Sequence, residues 1–259
     1  MTGRFDSTQE RPRVAVFGLS SCFGCQLQIA NANERLSLLL SHVDLAYWQM
    51  LSDGSVPDGN LDIAIIEGAV TTEEQEDFLR DIRSRSDVII AIGACAVSAG
   101  IPGLASTCHD VHVDRSFCSV VPEACGHLIT PRAISDVVDV DCRICGCPIS
   151  TDEFIAVLNR VIFGSNATSV TDTLCGTCKR NEDLCFWAQG KQCLGFVTVA
   201  GCGAYCIEFG RACKGCRGLS PHANLDAARR IARRYGVDDS IFDSDLGLFT
   251  RFEQEEGDC

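Results

Sequence analysis

The chain is poor in three things. No apolar run reaches the roughly 18 residues of a membrane-spanning helix, so no span is predicted. Basic residues are a minority: 22 Lys and Arg against 35 Asp and Glu leave a formal charge of −13. That balance argues against nucleic acid and against anionic membrane surfaces as partners. Histidine is scarce, and His42, His109, His112, His127 and His222 form no Cys/His zinc pattern. The opening "MTGRFDSTQERPR" lacks the apolar core of a secretory signal and any twin-arginine pair, so a cytoplasmic location is expected. No internal repeat is evident.

Cysteine, by contrast, is abundant, with 18 in 259 residues. Disulfide frameworks normally staple small, core-poor domains, and this chain has long apolar strands. In a reducing compartment, cysteine at this density points to metal.

Up to residue 165 the pattern alternates strand and helix. Arg13 to Leu19 reads as a strand, Cys25 to Ser41 as a helix, and Val43 to Trp48 and Leu61 to Glu67 as two further strands. Next, "TTEEQEDFLRDIRSRS" carries Thr71 and Glu74 at capping-box spacing, with Phe78, Leu79 and Ile82 on one helical face. Asp87 to Ile92 is near-continuously apolar, the signature of a parallel strand buried on both sides. Val137 to Val140 is a candidate last strand, and "STDEFIAVLNRVIFG" an amphipathic helix capped by Ser150 or Thr151 and stopped by Gly164. This alternation predicts a flavodoxin-like, doubly wound α/β sheet. "GLSSCFG" after the first strand lacks the G-x-G-x-x-G fingerprint, so no dinucleotide is expected there.

Cys22 and Cys25 follow the first strand, Cys95 the "DVIIAI" strand, and Cys147 the later run. Ligands in such sheets sit at carboxyl ends of strands. A C-x-x-C there could be a thioredoxin-like dithiol, half a zinc site or half an iron–sulfur site. The dithiol reading leaves Cys95 and Cys147 without purpose. After a polar linker the texture changes, with eight cysteines between Cys175 and Cys216. Gly-rich and short of long apolar runs, that stretch is expected to need something bound to organise it. Eight thiols make two sets of four, which zinc and iron–sulfur clusters both accept. The uneven spacing favours clusters, with two zincs still open. The expected layout is a tail at 1–12, the sheet domain at 13–165, a Cys-rich two-cluster domain at 166–220, and a helix with an acidic tail at 221–259. The helix is expected to begin at Ser220-Pro221.

The stretches "SSCFGCQLQ", "IIEGAVTTEEQ", "AIGACAVSAGI" and "GCP" resemble the small subunit of nickel–iron hydrogenases. "LCGTC", "QCLGFVTVAGCGAYC" and "ACKGC" narrow the resemblance to the delta subunits of the soluble sulfhydrogenase and bidirectional NAD(P)-linked group, from about Arg13 to Leu219. The resemblance implies a proximal 4Fe–4S cluster on Cys22, Cys25, Cys95 and Cys147. It implies a distal cluster on Cys175, Cys178, Cys185 and Cys193, with Cys175 where relatives carry His. The medial cluster would use Cys202, Cys206, Cys213 and Cys216. Cys206 is a fourth ligand added to a three-cysteine pattern, implying 4Fe–4S rather than 3Fe–4S. The nickel–iron centre and FAD would belong to partners: a hydrogenase large subunit and flavin- and iron–sulfur-containing acceptor subunits. Cys142 and Cys145 depart from the pattern, and Cys145 is an alternative to Cys147. Cys108, Cys118, Cys125 and Cys259 have no assigned role. The rival readings are the cluster subunit of a quinone-reducing complex, which lacks the eight-cysteine extension, and a non-enzymatic zinc scaffold.

Overall fold

The computed structural model describes residues 11–107, 126–164 and 170–250. Cys108, Cys118, Cys125, Cys259 and the acidic end lie outside them.

The chain opens with β1 (Arg13–Gly18), α1 (Gly24–Ala30), α2 (Glu34–Leu40) and β2 (Asp44–Trp48). There follow β3 (Leu61–Glu67), β4 (Val70–Thr72), α3 (Glu73–Ser84), β5 (Ser86–Ile92) and α4 (Gly93–Ser98). After β6 (Leu128–Arg132) and β7 (Cys142–Ile144), α5 (Thr151–Phe163) ends the sheet region. Five strands form one parallel sheet in the order β2-β1-β3-β5-β7, while β4 and β6 pair antiparallel beside it. This is the expected doubly wound α/β architecture.

Alternate residues of one strand feed opposite faces of the sheet. Val14, Val16, Ile63, Ile65, Val88 and Ile90 pack with Ile29, Phe154, Leu158 and Ile162 of α1 and α5. Their neighbours Ala15, Phe17, Ala64, Ile66, Ile89 and Ala91 pack with Leu79 and Ile82 of α3. Both faces are covered, which is why β3 and β5 read as unbroken apolar runs.

Four expectations are corrected. The helix after β1 is broken: α1 stops at Ala30, and Asn33 takes a positive φ of 52° before α2. A positive φ cannot continue a right-handed helix, whose residues need a φ of about −63°. Residues 137–140 are not a strand. Val137, Val138 and Val140 fill the core on the α3 side, and pairing with β5 begins only where the Ile89 amide donates to Asp141 Oδ2 at 2.9 Å. The cap of α3 is Thr72, whose hydroxyl accepts from Gln75 N at 3.2 Å, while Gln75 Oε1 accepts from Thr71 N at 2.9 Å. The cap therefore falls one residue later than Thr71, and Gln75 reaches past it to the Thr71 amide.

The fourth correction concerns the Cys-rich segment. It contains α6 (Leu174–Arg180) and α7 (Tyr205–Glu208), followed by α8 (Leu225–Arg234) and α9 (Asp239–Thr250). This region does build an apolar core. Leu174, Phe186, Trp187, Leu194 and Val197 meet Ala228 and Ala232 of α8 and Phe242 and Leu246 of α9. Helix α8 starts at Leu225, capped by Asn224 Oδ1 accepting from Ala227 N at 2.8 Å; Ser220 Oγ instead donates to Thr171 O at 2.7 Å and accepts from His222 N at 3.2 Å in the turn before it.

Candidate metal centre

Cys22 lies in the turn after β1, Cys25 in the first turn of α1, Cys95 on α4 directly after β5, and Cys147 after β7. Three carboxyl ends of the sheet thus deliver four thiols to one place. Burial pushes the Cys25 thiol up, with Glu67 and then Cys147 and Cys95 adding like charge. Burial likewise raises Cys95 and Cys147, each also within electrostatic reach of Cys22. The packing is close. A Cβ at Gly93, which has φ 84°, would stand 2.5 Å from Cys25 Sγ. Glu67, at the end of β3 and 2% exposed, accepts from the amides of Cys25 at 3.0 Å and Gln26 at 3.2 Å. A carboxylate here satisfies first-turn donors that a helix cannot satisfy itself.

The second set gathers around α6. Burial, then Cys193, Cys178 and Cys185, push Cys175 up to about 11. Cys178 is raised by burial, then by Asp183, Cys193 and Cys185.

Cys202, Cys206, Cys213 and Cys216 form the third set. Burial pushes Cys216 up to about 11, opposed by a hydrogen bond from the Cys147 backbone and reinforced by Cys202, Cys147 and Cys206. Burial pushes Cys213 up to about 12, opposed by the Gly215 amide that donates to its sulfur and by its contact with Thr198 Oγ1, with Cys193 and Cys216 adding like charge. The sets touch in a definite order. Cys147 of the first faces Cys206 and Cys216 of the third. The Cys213 amide of the third donates to Cys193 Sγ of the second at 3.3 Å. The third set therefore lies between the other two, although it is last in sequence.

The twelve singled-out cysteines are neighbours along one path, and their division into three groups of four is the one the resemblance implies. Cys142 and Cys145 are used differently. Cys142 packs against the core beneath α5 with Arg160 Nη2 3.8 Å from its sulfur. The Cys145 carbonyl accepts from Arg217 Nη1 at 2.7 Å. Sequence reading missed Glu67, signalled only by an acidic residue closing a buried strand, and Arg217, signalled only by one charge in a Gly-rich stretch. Among the described residues, no three His, Cys, Asp or Glu side chains converge on a single-ion site. The donor chemistry suits iron–sulfur clusters: several closely placed thiols, with Cys25, Cys95, Cys175, Cys213 and Cys216 raised chiefly by burial, are what a cationic core with separate attachment points would hold ionised.

The NADH ubiquinone oxidoreductase, 20 Kd subunit family matches residues 22–161. The sulfhydrogenase 2 subunit delta of Pyrococcus furiosus is 30% identical over 230 residues, covering 88% of this chain and 95% of that protein. The delta subunit of the NAD-reducing hydrogenase of Cupriavidus necator is 30% identical over 169 residues, covering 59% of this chain and 79% of that one. A chain of an H2-reduced NAD+-reducing [NiFe]-hydrogenase superposes with TM-score 0.54 at 27% identity, covering 62% of this chain and 96% of that one. A chain of the Ni-Fe-Se hydrogenase from Desulfomicrobium baculatum gives 0.55 at 15% identity over 80% of this chain and 94% of that one, a likeness of fold. This chain belongs to the 20 Kd subunit family and, within it, to the small subunits of nickel–iron hydrogenases.

Proposed function

We propose that this chain conducts electrons between a hydrogen-splitting nickel–iron centre in a large subunit and a flavin- and iron–sulfur-containing partner, through three 4Fe–4S clusters. Cys22, Cys25, Cys95 and Cys147 would hold the proximal cluster, and Cys202, Cys206, Cys213 and Cys216 the medial one. Cys175, Cys178, Cys185 and Cys193 would hold the distal one. NAD(P)+ or another soluble acceptor, in the cytoplasm, would receive the electrons. The observation that carries this reading is the unbroken succession of sets, from Cys147 to Cys206 and Cys216, then from Cys213 to Cys193.

When bound, the clusters supply one-electron redox chemistry. The chain's own residues fix the conditions for it. Burial of Cys25, Cys193 and Cys213 keeps water from the sulfurs. Amides of Cys213 and Gly215 donate to thiol sulfurs at 3.3 and 3.4 Å, and such hydrogen bonds shift cluster potential. Cys22, Cys147, Cys185 and Cys206 are exposed. Near them in sequence, Leu27, Leu184, Tyr205 and Phe209 offer exposed apolar surface, which marks partner contact.

The quinone-reducing alternative accounts for the family match, which ends at residue 161. It gives no role to the eight cysteines beyond that point, whereas the sulfhydrogenase relative spans them. Purification of the chain with its native partners tests the proposal. The expected product is brown, with about twelve irons per chain. A colourless chain carrying zinc overturns it.

A further inference from the structure

Arg217 follows the last cysteine of the third set, and its residue is 5% exposed. Its guanidinium reaches three segments at once. Nη1 and Nη2 donate to the two Glu153 carboxylate oxygens at 2.6 and 2.9 Å. Nε donates to Ala200 O at 2.9 Å, and Nη1 also to Cys145 O at 2.7 Å. Glu153 lies in the first turn of α5, on the sheet side. Ala200 lies two residues before Cys202, and Cys145 two before Cys147. The backbone is built around this group: a Cβ at Gly201, where φ is 122°, would stand 2.6 Å from Arg217 Nη2. Cys145 and Cys202 are both within electrostatic reach of the guanidinium.

A buried ion pair is weak evidence of a stability role, because desolvation offsets its attraction. Its location is more telling. One full positive charge sits where the first set's loop meets the third set's, and one full negative charge sits beside it. Net charge near a cluster sets its potential: a fixed cation favours the reduced, more negative state, and an anion opposes it.

We propose that Arg217 is a positioning residue for electron transfer, which fastens the Cys145–Cys147 turn to the Cys202 loop and, balanced by Glu153, sets the potential of the cluster between the other two. The proposal rests on the three-cluster reading above. It makes opposite predictions for the two members of one pair. Removing the cation lowers that cluster's potential, and removing the anion raises it. A purely mechanical clamp would respond alike to either change, since each breaks the same contact.

The test is a redox titration followed by electron paramagnetic resonance, with iron counted, on the intact complex carrying Arg217→Gln, Glu153→Gln or Arg217→Lys. Arg217→Gln is expected to shift the middle cluster to lower potential and Glu153→Gln to higher, at unchanged iron. Arg217→Lys keeps the charge but loses the planar fork, and stays near wild type in potential. Shifts of the same sign, or none, at full iron overturn the proposal. If Arg217→Gln fails to assemble, the other two decide: an unmoved potential in Glu153→Gln overturns it, and a raised one beside an unmoved Arg217→Lys supports it. A wild-type complex without a cluster on the Cys202 set defeats the three-cluster reading itself, an outcome separable by its iron count.

Discussion

At the scale of single residues, the cysteines of one set differ in what their removal does. Cys22 and Cys95 come from separate elements, the β1 turn and α4, and serve the set nearest the large-subunit face under the proposal. Cys22→Ala or Cys95→Ala is expected to abolish hydrogen-dependent reduction of every acceptor while flavin-partner dye reduction survives. Hydrogen-driven activity near wild type in either variant would show the assignment to be wrong. Cys142→Ala removes a small packing group beside Arg160 and is expected to be mild in the same assay. Cys206 is a sharper case. It is exposed, sits on the short α7, and faces both Cys147 and Cys216. Cys206→Ala leaves Cys202, Cys213 and Cys216 as three thiolates. The expected result is loss of one iron and a new 3Fe–4S resonance in the oxidised complex. An unchanged iron count and spectrum would mean that Cys206 is a free thiol.

At the scale of elements, legibility followed the locality of the determinants. Helix α5 was readable because its signals are adjacent: Ser150 as cap and Gly164, at φ 68°, as the stop. Strand β7 was not, because Val137 and Val138 look like strand residues but are spent on the core under α3. What starts the strand is a side-chain contact between Asp141 and Ile89, 52 residues apart. The Cys-rich core was hidden for a related reason. Its apolar residues are scattered singly among cysteines, and the partners that complete it, Ala228, Ala232, Phe242 and Leu246, come from helices far along the chain. The membership of the three sets is the proposal's, while their spatial order, which depends on the Cys147–Cys216 and Cys193–Cys213 contacts, was not legible in the sequence. Glu67 illustrates how such a non-local contact supports an element. It alone receives the Cys25 and Gln26 amides at the buried start of α1. Glu67→Ala leaves those donors unsatisfied, which costs about 1–3 kcal/mol. Thermal unfolding of the intact complex should show the loss, and an unshifted melting temperature would argue that water takes over the cap.

At the scale of the whole molecule, folding and loading are coupled problems. Two regions with their own apolar cores meet through the cysteine sets and the Arg217–Glu153 pair, and α9 returns to α4 beside Cys95. Under the proposal, cluster loading displaces protons from thiols that burial raises, Cys175, Cys213 and Cys216 among them. The ordinary thiol value of 9 is pushed up to about 11 at Cys175 and Cys216 and about 12 at Cys213, chiefly by burial. The sign follows directly. Because the folded values lie above the ordinary one, the metal-free fold favours protonated thiols. That advantage is complete below pH 9 and disappears as pH rises through about 11 to 12. Thiolate, the form that binds iron, is therefore a minor species at neutral pH and grows about tenfold per pH unit below these values. Iron–sulfur reconstitution of the metal-free chain is expected to be slow at pH 7 and to accelerate steeply toward pH 9, with proton release accompanying uptake. The visible absorbance of the incorporated clusters, followed against time at several pH values, measures this. The loaded chain, whose thiolates are already ionised, is expected to show no matching loss of clusters between those pH values. A reconstitution rate independent of pH would mean that the thiols are already ionised in the empty sites, and that burial does not control their proton affinity.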